Sequence, residues 1–401
     1  MTASGKGENF DALVIGAGPA GGVAALMLAR AGWNVVIVEK SIFPRRKVCG
    51  EFISATSLPI LFQMDLGESF QELAGPEVRR LGLFARDSVL EAPMPHVGGP
   101  YGAWGRALGR EHLDLMLIQA SIRAGATVRQ PAAVSSVIRQ GDGWRCDVES
   151  KKAREQLNAR VIIAACGSWQ AQSFSTPPPA PRRSSDLFGF KAHFRNTGLP
   201  SDLMPLLVFP GGYGGMVHSD SGRVSLSCCI RRDTLQLSRE RGSSRAGEAV
   251  LQHLQRSSEG VRQVMRDARI EETWLSAGPI RPGIRKRYRD GIFVVGNLAG
   301  EAHPVVAEGI SMAMQSACQL CQRLIDTDDL GQTALAYVGR SYAAVWRKSH
   351  VPRIMAAAAI AHLVMRPAAV TLWLPLLEHF PMMLTYGAQL SGKAKLLPMF
   401  K

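Results

Sequence analysis

The sequence predicts an α/β fold: a Rossmann-like domain, an inserted mixed or antiparallel sheet domain, and a helical C-terminal region. Three observations carry this prediction. Near the start, the apolar run Asp11–Ile15 breaks into glycines spaced G-x-G-x-x-G, passes into a helix-like segment to Arg30, and returns as the strand-like run Asn34–Val38. Far downstream, Gly291–Asn297 reads as a second buried strand, followed by a helical pattern from Gly309 to about Ile325. Between them lie short strand-like runs separated by turn residues, the pattern of a nucleotide-binding domain that carries inserts.

The first unit fixes the chemistry of one site. Gly16 permits a tight turn, Gly18 lets a pyrophosphate approach the backbone, and Gly21 lets the helix pack close to the strand. Pro19 and Ala20 open the helix, whose N–H groups and dipole face the phosphates. Glu39, followed by Lys40, ends the second strand, where a carboxylate accepts the hydroxyls of an adenosine ribose. An acid there disfavours a ribose phosphate, so the motif predicts FAD or NAD.

The loop Phe43–Ser54 is basic and contains a glycine. It reads either as solvated surface or as a strap across the cofactor, with Arg46 and Lys47 near its oxygens and Cys49-Gly50 near its ring. Gly109–Asp114 leads into an amphipathic helix ending near Gly125. Strand-like runs follow at Ala126–Arg129, Ala133–Arg139, Trp144–Glu149 and Arg160–Ala165. The proline-rich run Thr176–Arg183 excludes helix interior and central strand, and is expected to cross into a second, antiparallel lobe. That lobe has strand-like segments at Leu187–Phe194, Leu206–Phe209, Gly215–His218 and Arg223–Ile230, then a helical stretch from Asp233 to Asp267. Pro210–Met216 reads as too glycine-rich for a plain hairpin, and as a turn whose backbone comes close to a flat ring. The expected division is residues 1–80, 109–175 and 276–330 for the nucleotide domain. Residues 81–108 and 176–275 form the inserted domain, and 331–401 the helical region.

With 401 residues, 46% apolar and 20% charged, the chain can bury a large core. Its formal charge of +14 suits an acidic partner, anionic lipid or a carrier-bound substrate. The cations are dispersed and no nucleic-acid module is visible, so nucleic acid is not an expected partner. Seven cysteines in mostly apolar surroundings, with no signal-peptide pattern, predict a reducing cytoplasm. Cys318-x-x-Cys321 has redox or zinc spacing but sits in a helical run without a second pair, so it reads as two core cysteines and no metal is expected.

With these motifs in order, the chain resembles the superfamily of FAD-dependent monooxygenases and geranylgeranyl reductases, which has the para-hydroxybenzoate hydroxylase-type fold and also contains flavin-dependent halogenases. The resemblance rests on Gly16, Gly18, Gly21 and Glu39; on Arg110 with Asp114, similar to an R-x-x-x-D helix start; and on Gly296-Asn297 where the family has Gly-Asp. Pro304 and Gly309-Ile310 follow at the family's distances. It implies an FAD-binding domain with an inserted substrate domain. In it Arg110 lies near the cofactor, Gly296-Asn297 at the ribityl chain, and Pro304, Gly309 and Ile310 beside the isoalloxazine. Lys47–Gly50, Pro210–Gly214 and Glu308–Ile310 are similar to loops of the geranylgeranyl-reductase branch. Asn297 replaces an acid, and Cys166-Gly167 stands where hydroxylases have Asp-Gly, which weakens direct use of NAD(P)H. The halogenase W-x-W-x-I-P motif is absent.

The expected function is that of an FAD-dependent oxidoreductase. The first expectation is a monooxygenase that hydroxylates an aromatic or polyketide-like substrate, free or bound to a carrier or protein, through a flavin C4a-hydroperoxide. The alternative is a reductase of isoprenoid or lipid double bonds. A non-turnover electron carrier or maturation partner is the third reading. No second nucleotide fingerprint is visible, so NAD(P)H would visit transiently, or another protein would supply electrons. His303, Cys49 and Tyr213 are the candidate catalytic groups; their plain alternatives are a structural histidine, a small buried thiol and a turn aromatic. Glu308 reads as orienting its loop or as a helix N-terminal acid. Val351–Phe400 is unusually apolar, but Arg366, Pro367, Pro375 and Pro381 break it into pieces too short to span a bilayer. It is expected to pack on the core, with a lid over a lipophilic substrate or a peripheral membrane contact as the sharper reading.

Overall fold

The computed structural model describes residues 8–151, 153–167, 182–243 and 245–393. Thus the proline-rich run up to residue 181 and the extreme C-terminus lie outside the described residues. The first sheet is built on parallel strands that read as near-continuous apolar runs because both faces are covered. Across the sheet the order is Tyr288–Arg289, Ile292–Val294, Arg154–Ala164, Glu8–Ile15, Val35–Val38 and Thr127–Arg129. The last five of these are parallel. Helix Pro19–Arg30 packs between helices Gly309–Ile325 and Arg110–Arg123. The chain order reverses between Glu8–Ile15 and Arg154–Ala164, so the crevice at their carboxyl ends is the place where such a sheet binds ligand.

The second sheet runs Arg269–Ile270, Leu187–Arg195, Val224–Arg231, Gly212–His218, Leu203–Phe209, Arg80–Ala85, Ser88–Pro93, with Leu275–Ile280 also paired to Leu187–Arg195. Only Leu203–Phe209 with Arg80–Ala85 is parallel in it. Period-2 alternation splits its two faces. Phe190, Ala192 and Phe194 join Leu226 and Ile230 in a core closed by helices Ala246–Ser257 and Glu259–Val264. The opposite face carries Leu83, Tyr213 and Cys229 toward Ala361, Val364, Val370 and Leu374 of the C-terminal helices. These helices are Gln332–Val364, Pro367–His379 and Met382–Ala388. No single helix among the described residues is long and apolar enough to cross a membrane.

One expectation is corrected here. Pro210–Met216 is not an open glycine turn. Phe209 pairs with Gly212, so Pro210 and Gly211 form a two-residue hairpin turn, with Gly211 at φ 73°. The later glycines lie inside the strand Gly212–His218. A Cβ on Gly214 would stand 2.8 Å from both Cys228 Cβ and the Ser227 carbonyl oxygen. Strand packing therefore requires glycine there, and Tyr213, Gly214 and Gly215 still border the cavity.

Candidate flavin site

A cavity of about 860 Å³ lies between the two sheets and is closed on one side by the C-terminal helices. One end is the nucleotide half. Gly16 has φ 99°, and a Cβ on it would come within 2.9 Å of the Ala165 carbonyl oxygen and of Cys166 Cα. Gly18, Pro19 and Ala20 line the cavity where helix Pro19–Arg30 begins. Gly21 does not line it. Its missing Cβ would lie 1.8 Å from the Gly16 carbonyl oxygen, so Gly21 is a packing residue that makes the turn possible rather than a contact residue. Glu39 is 5% exposed; its carboxylate accepts the N–H groups of Ala17 and Ser41, each at 2.9 Å, which fixes it at the end of its strand. Lys40 borders the cavity beside it.

The phosphate end is strongly cationic. Arg110 is buried and forms a two-pronged pair with Asp114, 2.8 and 2.7 Å, one turn further along its helix. Arg45 approaches the same Asp114 at 3.5 Å and Glu39 at 3.8 Å, and its Nε is buried without a partner. Burial, with Arg110 and Arg45 adding to it, pushes Lys47 down to about 8. Three cations against two acids, converging on a glycine turn and a helix N-terminus, fit the pyrophosphate of a dinucleotide. Arg46 lines the cavity, but its guanidinium pairs with Glu272 of the second lobe. Arg45 and Lys47 supply charge beside Arg110, and Arg46 keeps Nε and Nη2 buried without a partner. Sequence reading placed Lys47 there but gave no role to Arg45, because adjacent cations in a loop carry no signal of which one points inward.

Lys47 yields a pH prediction. An added anion favours its charged form, so binding above pH 8 must take up a proton, and FAD affinity should fall with rising pH by up to about tenfold per unit. Titrating FAD fluorescence quenching between pH 7 and 10 checks this. Lys47→Met should weaken binding at pH 7 and flatten the profile, whereas a wild-type profile with no inflection near pH 8 contradicts the assignment.

The other end is the ring and substrate half. Gly296 and Asn297 line the cavity at the end of the returning strand. The Asn297 side-chain amide donates to Glu301 at 3.1 Å, and the Asn297 backbone carbonyl accepts from Arg285 at 2.8 Å. Pro304, Gly309 and Ile310 border the same space where helix Gly309–Ile325 begins, and a Cβ on Gly309 would meet no atom within 4 Å. Glu308 is fully buried, yet caps nothing; its carboxylate accepts from Arg353 at 2.6 Å and Lys393 at 2.9 Å. It orients the loop, tying it to the C-terminal helices.

Among the three candidate catalytic groups, Cys49 and Tyr213 border the cavity and His303 does not. His303 lies behind Tyr213, with Nδ1 3.1 Å from the phenol oxygen. Burial, with His362 nearby, pushes it down to about 4, so the ring is neutral at physiological pH. Burial holds the Tyr213 hydroxyl protonated well above its ordinary range. The phenol and the neutral imidazole share this hydrogen bond, and His303 positions Tyr213 instead of meeting substrate. The correction follows from the loop's path: Ala302 and Pro304 face inward, which turns the residue between them outward. Cys318 and Cys321 are buried core thiols.

Sequence reading missed a second buried group. Glu51, at the end of the strap, is fully buried between Lys191 Nζ and His193 Nε2, the latter at 2.9 Å. Burial raises its carboxyl, but the His193 and Lys191 contacts outweigh this and hold it below the usual carboxylate range. These partners are 140 and 142 residues away, beyond any spacing rule.

Comparison with known proteins agrees with this geometry. A family model described as an FAD binding domain matches residues 9–331. The digeranylgeranylglycerophospholipid reductase 2 of Methanopyrus kandleri is 27% identical over 340 residues, covering 81% of this chain and 80% of that protein. Among solved structures, the flavin-dependent brominase Bmp2 superposes with a TM-score of 0.76 at 18% identity, covering 96% of this chain and 94% of the other. A geranylgeranyl bacteriochlorophyll reductase-like protein from Thermoplasma acidophilum gives 0.68 at 17%, covering 96% and 99%. Such identities carry the fold alone, but the family model spans most of the chain. The glycine turn, Glu39 and the cationic crevice have the geometry that match requires, and the chain belongs to the FAD binding domain family, within the superfamily of FAD-dependent monooxygenases and geranylgeranyl reductases.

Proposed function

We propose that this FAD-dependent oxidoreductase reduces double bonds in a long, lipophilic isoprenoid-type substrate. The observation that carries this is the composition of the substrate half of the cavity. Its walls are Leu81, Leu83, Met204, Leu206 and Ile280 from the second sheet and Ile360, Leu363, Trp373, Leu377 and Leu384 from the C-terminal helices. Such a space pays for desolvating a hydrocarbon chain, and Trp373 Nε1, buried without a partner, is a polar donor on the same wall. The named lipid reductase that shares four-fifths of its length with this chain supports the same reading.

Bound, reduced FAD supplies a hydride. The protein's part is to hold the chain against the ring, exclude water, and deliver a proton to the carbon that the hydride does not take. Tyr213, protonated, 1% exposed and on the cavity wall, is the donor this reading assigns, with His303 fixing its rotamer. Tyr213→Phe should leave FAD binding unchanged and lower turnover by about a hundredfold or more. A turnover loss confined to KM would instead make Tyr213 a contact.

The substrate's route in is part of the proposal. Leu363, Leu376 and Met383 both line the cavity and are exposed, and Leu372 and Leu390 near them are 82% and 74% exposed. The chain carries a formal charge of +14, and in this stretch Arg366 is exposed, whereas Arg353 and Lys393 are buried against Glu308. We place this rim on an anionic lipid surface, from which the chain enters directly. Flotation with vesicles of anionic phospholipid should carry the wild type, and Leu372→Asp with Leu390→Asp should not; equal flotation sinks the route.

The monooxygenase reading rests on the same apolar cavity, which would exclude water from the ring. One experiment separates the two. FAD-loaded protein is reduced anaerobically and mixed with a geranylgeranyl lipid, then with oxygen, and the product is weighed by mass spectrometry. Gain of two hydrogens per double bond without oxygen supports reduction; gain of an oxygen atom only after aeration supports hydroxylation.

A further inference from the structure

The strap that crosses the nucleotide half continues into Cys49, Gly50 and Glu51 before pairing Phe52–Ile53 with Arg106–Ala107. Glu51 stands in the left-handed region, φ 66°, where a residue with a side chain is strained. It is held there from three directions. Its N–H lies 3.4 Å from Cys49 Sγ, its carbonyl accepts from the Leu108 N–H at 3.2 Å, and its carboxylate enters the second lobe to meet Lys191 and His193.

Lys191 and His193 are alternate residues of the strand Leu187–Arg195, on the face opposite its Phe190 and Phe194 core, and both are 0% exposed. A buried lysine and a buried histidine side by side are costly unless something holds them there. Their register partners across the sheet are Ser227 and Ser225. A Cβ on Gly50 would lie 3.3 Å from Ser227 Oγ. The strap therefore touches the second lobe at two successive residues: Gly50 by close backbone approach and Glu51 by charge.

We infer that Glu51, Lys191 and His193 form a latch between the lobes that positions the strap, and with it Arg45, Lys47 and Cys49, for FAD. Lys191 and His193 do not border the cavity and are positioning residues that act on the cofactor through the strap; Glu51, which borders the cavity, is the residue they hold. The inference rests on the flavin reading of the cavity. An ion pair that merely stabilised the fold would show in melting temperature alone, whereas a latch governs how tightly the strap closes.

The test uses the full chain reconstituted with FAD. Glu51→Gln with Lys191→Met removes both charges together and leaves no orphan cation. His193→Asn keeps the Glu51–Lys191 pair and serves where the double variant folds poorly. The expected result is FAD binding weakened by about tenfold or more in the double variant and less in His193→Asn, the scale on which loss of a supporting contact is felt at a bound group. The flavin absorption bands should shift with it. In the apoprotein, trypsin should cut at Arg45 to Lys47 faster than in wild type. Wild-type FAD affinity, spectrum and strap cleavage in both variants overturn the latch while leaving the flavin site intact. Failure of the wild type itself to bind FAD overturns both.

Discussion

Gly21→Ala should abolish stoichiometric FAD binding and destabilise the apoprotein by about 3 kcal/mol. The new methyl would stand 1.8 Å from the Gly16 carbonyl oxygen and 2.9 Å from its carbonyl carbon. Neither atom can yield cheaply. Gly16 already uses φ 99°, and its own Cα faces the backbone of Ala165 and Cys166, so moving the turn pushes on the neighbouring parallel strand. The helix must then retreat from the sheet, taking with it the N–H groups that face the phosphates. Gly309→Ala is the informative contrast. Nothing lies within 4 Å of that Cβ, and alanine is the better helix former by about 1 kcal/mol. The apoprotein should melt unchanged or slightly higher, yet bind FAD more weakly, because the methyl projects into the cavity. Unfolding curves of the two apoproteins and flavin-to-protein ratios after gel filtration read both effects. Full flavin content in Gly21→Ala, or weakened folding in Gly309→Ala, would contradict the packing described here.

Much of the nucleotide half was legible because its signals are local. Gly16, Gly18 and Glu39 lie within one strand–helix–strand unit, and local backbone geometry dictates their types. The helix predicted from Gly309 to about Ile325 spans those residues, and the one ending near Gly125 spans Arg110–Arg123. Gly21 was legible as a packing glycine, and that close packing keeps it from the cavity wall. His303 failed for a related reason: sequence places a residue in a loop but does not say which side of the loop its ring takes. The inter-lobe charges were invisible. Glu51, Lys191 and His193 look like an ordinary loop acid and two residues of an alternating strand, and only the fold puts them within bonding distance. Glu308 was ambiguous in the same way, since an acid before a helix has a local explanation that hides its distant partners.

Those distant partners make Glu308 the site of the second large effect. Its carboxylate accepts from Arg353 on the long helix Gln332–Val364 and from Lys393 at the end of the described chain; Arg353 also donates to Gln315 at 2.7 Å and to the Ser391 carbonyl at 3.2 Å. All three charged residues are buried. Glu308→Gln leaves two buried cations without a carboxylate, which should cost about 3–5 kcal/mol. Removing all three charges together, as Glu308→Leu, Arg353→Met and Lys393→Met, should recover most of that loss, because a buried ion cluster replaced by apolar side chains is often neutral. Urea unfolding of the single and triple variants measures both. If the single variant falls within about 1 kcal/mol of wild type, the cluster carries little of the fold. The functional consequence separates the two variants further. Glu308 joins the loop that opens helix Gly309–Ile325 to the segment whose Met383, Leu384 and Ala388 wall the cavity. The single variant should thus lose both FAD affinity and protection of residues 382–393 from proteolysis. The triple variant should keep the fold and bind FAD, while its C-terminal wall, no longer pinned by directional bonds, should discriminate less between long and short apolar substrates.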